Sequence, residues 1–201
     1  MIKLDRDQVA ALKEAGSLGS QHAALALSQL IGERVNIAVI RVEVASSQNF
    51  AQLVGGTDML GAAVYLQVLG DLKGSIFLFF RRKDAVKLID TLLYEGKDKA
   101  LMVSEMGVSS LKEVGNILAA SYVNALSEIA SLRVVLSVPK FVFDWAGYVI
   151  EGIFDEMMKE DVKTLSITTE FVESTKQVKG YFVFIPDHES LSKLLDKMKK
   201  E

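Results

Sequence analysis

The chain has no cysteine, two histidines, two prolines and a single tryptophan among 201 residues. Without cysteine there is no disulfide, thiolate metal site or cysteine nucleophile. His22 and His188 alone make a histidine-rich metal centre or a Ser-His-Asp triad a poor reading. Long apolar runs are missing too. The longest, such as Ile76–Phe80, fall far short of the ~20 residues that a spanning helix needs, so no membrane insertion is expected. A net charge of −3 gives no general attraction for nucleic acid. The first residues, Met1–Asp7, carry charges where a secretory signal needs an apolar stretch, so the chain is expected to be cytoplasmic.

What is present is the balance of a folded globular chain, with 50% hydrophobic and 24% charged residues. At this length roughly 70% of the unfolded surface can be buried, enough for a core without staples.

An internal repeat organises the chain. At an offset of 99, Val9–Val39 align with Val108–Val138, and 11 of the 31 pairs are identical. They include Lys13/Lys112, Glu14/Glu113 and Gly16/Gly115. Unrelated stretches would share only about two. At an offset of 106, Lys73-Gly74 pairs with Lys179-Gly180, and Lys87-Leu88 and Asp90 pair with Lys193-Leu194 and Asp196. Two units of this size are too few for a solenoid. The expectation is one domain spanning 1–201, made of two repeats at about 7–98 and 106–201.

Each unit opens on a proline-free run with apolar or small residues at three- and four-residue spacing, which predicts helices over 7–32 and 106–131. β-rich runs follow at 35–44 and 134–143. A hairpin is expected from 62–69 and 74–80 around Gly70-Asp-Leu-Lys, with 165–172 and 180–185 as its counterpart across a longer charged loop. Short helices close the halves at 84–93 and 190–199, and an extra amphipathic helix is expected over 145–158. The fold class is α+β: antiparallel strands from both halves, with the long helices packed on the sheet.

The second long helix carries the candidate chemistry. Ser109, Glu113 and Asn116 stand at i, i+4 and i+7, one face over two turns. A carboxylate and a carboxamide side by side on a rigid helix can grip a cation and orient a water. Neither is a strong nucleophile, so the pattern points to positioning rather than covalent catalysis. The solvated face of any amphipathic helix looks the same, and spacing alone does not separate the two readings.

Ser109-x3-Glu113-x2-Asn116, followed by 22 residues and Pro139, resembles the signature of the CheC/CheX/FliY family of chemotaxis phosphatases, with CheC the best match in length. The resemblance implies hydrolysis of the aspartyl phosphate of a CheY-like response regulator. It implies that Asn116 presents the water in line with phosphorus and that Glu113 engages the regulator's active-site lysine. Ser109 and Pro139 would support the helix and the start of the next strand. The regulator would bring its own Mg²⁺, so no cofactor of this chain's own is implied. The resemblance also implies a contact with the receptor deamidase CheD, to which Asp144 would contribute. A CheC-like adaptor for CheD or a flagellar-switch component, with little hydrolysis, is the alternative. Asp144 read without the resemblance is a helix N-cap.

The first repeat departs from the signature. Glu14 persists, but Ala10, Ser17 and Ile40 stand where Ser109, Asn116 and Pro139 do. A serine hydroxyl cannot hold water where a carboxamide would, so this first site is expected to be inactive. Trp145 reads equally as core or interface, and His22 as a packed or surface residue. Gly55-Gly56 and Gly70 read as turns, Arg81-Arg82-Lys83 as a strand end, and 197–201 as a solvated tail.

Overall fold

A computed structural model describes the chain over residues 6–32, 34–46, 52, 54–93, 104–157, 163–173 and 177–197. Helix α1 is Arg6–Ile31, followed by β1 (Val35–Ser46), β2 (Leu60–Gly70), β3 (Gly74–Arg81) and α2 (Arg82–Leu93). The second half runs α3 (Glu105–Ala130), β4 (Val134–Leu136), β5 (Lys140–Trp145), α4 (Ala146–Met157), β6 (Lys163–Glu173), β7 (Gln177–Pro186) and α5 (His188–Lys197).

Among the described residues the strands form one seven-stranded sheet in the order β1-β6-β7-β3-β2-β4, with β5 also paired to β2. Every pairing is antiparallel. The order reads the same from either edge when β1 is exchanged with β4–β5, β6 with β2, and β7 with β3.

The central strands are apolar almost continuously because both faces are covered. On β3, Ile76, Leu78 and Phe80 join a core shared with α1, α2, α3 and α5, while Phe77 and Phe79 face a smaller cluster. On β7, Phe182 and Phe184 take the first side, and Tyr181, Val183 and Ile185 the second. Ala146 and Val149 of α4 cover that second side. Arg81 ends β3 by donating from Nε to the Val54 carbonyl at 2.9 Å, with its guanidinium 5.5 Å from the Tyr181 ring centre.

Several sequence expectations change. Arg82 and Lys83 open α2 rather than ending a strand, and the closing helices begin at Arg82 and His188, two residues earlier than expected. The run 134–143 is two strands, because Pro139 has no N–H to give to a ladder. Ser137 bridges the gap: its N–H donates to the Gln67 carbonyl and its hydroxyl accepts from the Gln67 N–H, both at 2.9 Å. The extra helix starts at Ala146, with Trp145 in β5 opposite Leu60 and 45% exposed, while Met158 lies outside the described residues. The charged loop of the second hairpin is shorter than expected, since β6 and β7 extend to Glu173 and from Gln177. Of the tail expected over 197–201, Lys197 is the exposed last residue of α5, and 198–201 lie outside the described residues. Gly55, Gly56 and Gly70 have φ of 106°, 113° and 108°, the turn geometry expected of them.

Candidate functional site

Helix α3 is built to hold one face rigidly outward. Ser104 caps it from an extended conformation, its hydroxyl accepting from the Gly107 N–H at 3.1 Å. Such a cap contributes about 1 kcal/mol. Leu111, Val114, Leu118, Tyr122, Ala125 and Leu126 form the buried stripe that fixes the helix against the sheet. The Tyr122 ring lies 4.7 Å from that of Phe182 on β7.

Opposite that stripe, Ser109 and Glu113 are exposed and Asn116 is half-buried. Among the described residues, no hydrogen bond or ion pair engages any of these three side chains. An exposed carboxylate and a half-buried carboxamide, neither with an internal partner, remain available to an external cation and an external water. The site is a helix face rather than a cleft. A shallow depression of about 520 Å³ beside Leu25, Ser28 and Arg34 lies at the far end of α1 and touches none of these residues. Among the described residues, no group of three or more His, Cys, Asp or Glu is placed to hold a metal ion.

Pro139 is half-buried in the break between β4 and β5. The signature thus joins a helix to the adjoining strand, and both pack on β2. Asp144 lies in β5 opposite Gly61, and its Oδ1 accepts from the Trp145 N–H at 2.8 Å. It is therefore not the N-cap of α4. The first N–H groups of that helix, from Ala146 and Gly147, go to the carbonyls of Met59 and Thr57 at 2.8 and 2.9 Å.

Glu14 and Ser17 are exposed on α1, as is Ala10. The Ser17 hydroxyl accepts from Gln21 Nε2 at 3.4 Å. Two surface residues beside the signature escaped the sequence reading. Met106, one turn before Ser109, is 58% exposed, and Val138, just before Pro139, is 83% exposed. A valine in a β-rich run reads as core, so only the strand break reveals it.

The architecture defines a class, a fold shared with FliY and CheX structures. Thermotoga maritima FliY matches with a TM-score of 0.79 at 17% identity, covering 98% of both chains. The crystal structure of the CheX-CheY-BeF3-Mg+2 complex from Borrelia burgdorferi matches with a TM-score of 0.52 at 16% identity, over 91% of this chain and 99% of that one. Within that class the chain belongs to the CheC-like family. The family's model matches residues 106–143, which hold Ser109, Glu113, Asn116 and Pro139. The CheY-P phosphatase CheC of Bacillus subtilis is 32% identical over 197 residues, 95% of this chain and 93% of that protein.

Proposed function

We propose that this chain is a CheY-P phosphatase, hydrolysing the aspartyl phosphate of a chemotaxis response regulator. The observation that carries the reading is the outward pair Glu113 and Asn116 on α3, free of internal partners among the described residues and lying within the stretch 106–143 that matches the CheC-like family model.

Phosphoryl transfer needs alignment and charge stabilisation more than covalent help. Asn116 orients a water in line with phosphorus, and Glu113 holds the regulator's active-site lysine and so fixes the docking register. Water attacks phosphorus, the bond from phosphorus to the aspartyl oxygen breaks, and the products are the free aspartate and inorganic phosphate. Ser109 and Pro139 support the helix and the strand start. Mg²⁺ comes with the regulator as part of the substrate.

The chain acts as one cytoplasmic domain of two fused copies, of which the second hydrolyses. In the first, Glu14 remains but Ser17 cannot place the water. No helix among the described residues is long and apolar enough to cross a membrane. A contact with CheD is proposed at half-buried Asp144, beside the exposed Trp145 and Tyr148. Asp144→Lys should abolish capture of CheD while leaving phosphate release intact.

The deciding experiment is loss of phosphate from the phosphorylated regulator with Mg²⁺ present. Wild type should speed it, and Asn116→Ala should lose about 100-fold or more with an unchanged circular dichroism spectrum. Full activity in Asn116→Ala or Glu113→Ala would overturn the site.

A further inference from the structure

We infer that the contact between Gly115 and Val64 is a positioning element of this site, setting the height of the Glu113–Asn116 pair over the sheet and its offset from Pro139. The inference rests on the phosphatase reading above.

Gly115 lies mid-helix between the two working residues, on the buried side of α3. A glycine there costs about 1 kcal/mol relative to alanine, so it calls for a packing reason. Its surroundings supply one. A Cβ at 115 would lie 2.6 Å from Val64 Cγ1, 2.9 Å from Cβ and 3.2 Å from Cγ2. Carbon atoms at rest sit about 3.5–4.0 Å apart, so a methyl would push the helix out by about 1 Å.

Val64 cannot step aside. It is fully buried on β2 within the main core, and a β-branched side chain is restricted at χ1. It also stands opposite Phe141 on β5, two residues after Pro139, and Phe141 packs against the same core. One residue of β2 thus supports the motif helix from below and pairs with the strand that the motif proline begins. The working side chains project from the far side of the helix, so a shift in its height moves Asn116 relative to a regulator docked across both elements. In-line attack is sensitive to such a shift: about 1 Å can cost on the order of 100-fold.

Phosphate release is measured per folded molecule, with kcat and KM separated and a melting curve for each variant. Gly115→Ala should lower kcat by about 100-fold with KM changed far less. Val64→Gly added to Gly115→Ala removes all three Val64 atoms that crowd position 115 and should restore most of kcat. A merely structural glycine would lower the melting temperature and leave kcat per folded molecule alone. A folded Gly115→Ala with wild-type kcat overturns the inference while the phosphatase reading stands. If Gly115→Ala fails to fold, the double variant decides: folded and active supports the inference, folded and inactive overturns it. A wild-type chain that leaves phosphate loss unchanged overturns the phosphatase reading and this inference with it.

Discussion

The two long helices are the same object with different chemistry. Both have 26 residues. From Arg6 to Ser20 and from Glu105 to Ala119, burial at equivalent positions differs only at Lys13/Lys112 and Ser17/Asn116. Glycine recurs at Gly16 and Gly115, and an exposed glutamate at Glu14 and Glu113. Over these first turns the core constrains the buried positions of both helices alike, and the two diverge only further on, where Ser121, Val123 and Ala125 are buried but His22, Ala24 and Ala26 are not. An amide on the outward face carries no such constraint, and only one copy has it. A duplicated scaffold thus keeps much of its packing in both copies while the outward residue at 17 and 116 differs, and the proposed function makes that residue the one that separates them.

The comparison breaks first at the amide. With Asn116→Ala having lost about 100-fold, adding Ser17→Asn should return at least tenfold of phosphate release through the α1 face. A rate that stays at the Asn116→Ala level means that Ala10 and Ile40 matter as much as Ser17. At the shared glutamate, Glu113→Ala should lower kcat/KM by about tenfold or more, whereas Glu14→Ala should stay within about twofold; steady-state kinetics on the two variants separate the faces.

The crossing of the helices offers a stability test. A Cβ on Gly19 would lie 2.9 Å from the Cα of Tyr122, which is backbone and cannot swing away. Gly19→Ala should therefore cost about 1–3 kcal/mol in chemical denaturation.

The C-termini differ as well. Gly32 and Ser131 are equivalent in the repeat, and both are left-handed, with φ of 77° and 53°. Serine in that region is strained where glycine is not. Ser131→Gly should stabilise by about 0.5–1 kcal/mol and Gly32→Ala should destabilise by a similar amount, read from urea midpoints.

The smallest effect is acid-dependent. The Arg133 N–H donates to Asp71 Oδ2 at 2.9 Å and holds that carboxyl below its ordinary pKa, with Lys193 adding to the effect from 3.8 Å. A carboxyl lowered on folding stabilises above its unfolded pKa of about 4, and that contribution is lost as pH falls through the folded value. The stability difference between wild type and Asp71→Asn should therefore shrink as pH drops below about 4, and thermal melts across acid pH measure it.

Much of this was legible in the chain. The predicted starts of the long helices, 7 and 106, lie one residue from the observed Arg6 and Glu105, because periodicity, lack of proline and the second copy all agreed. The first hairpin followed from its apolar strands around Gly70. Ser109, Glu113, Asn116 and Pro139 stood out by spacing and resemblance. Trp145 was misplaced by one element, since an apolar residue beside a helix reads as part of it until strand pairing with Leu60 claims it. The break at Pro139 was missed because the Ser137–Gln67 bonds that make it tolerable join residues 70 apart.

Residue order alone carries the local succession of helices and strands, the duplication, the candidate face and which copy has the amide. Those are matters of residue type and spacing, which a linear chain carries in full. Only the tertiary structure decided that β3 pairs with β7 across the two halves, that Met106 and Val138 stand exposed beside the signature, and that Gly115 rests on Val64. These depend on contacts between residues far apart in the chain, and a distance of 2.6 Å between a missing methyl and a valine is a fact of packing that no pattern of letters encodes.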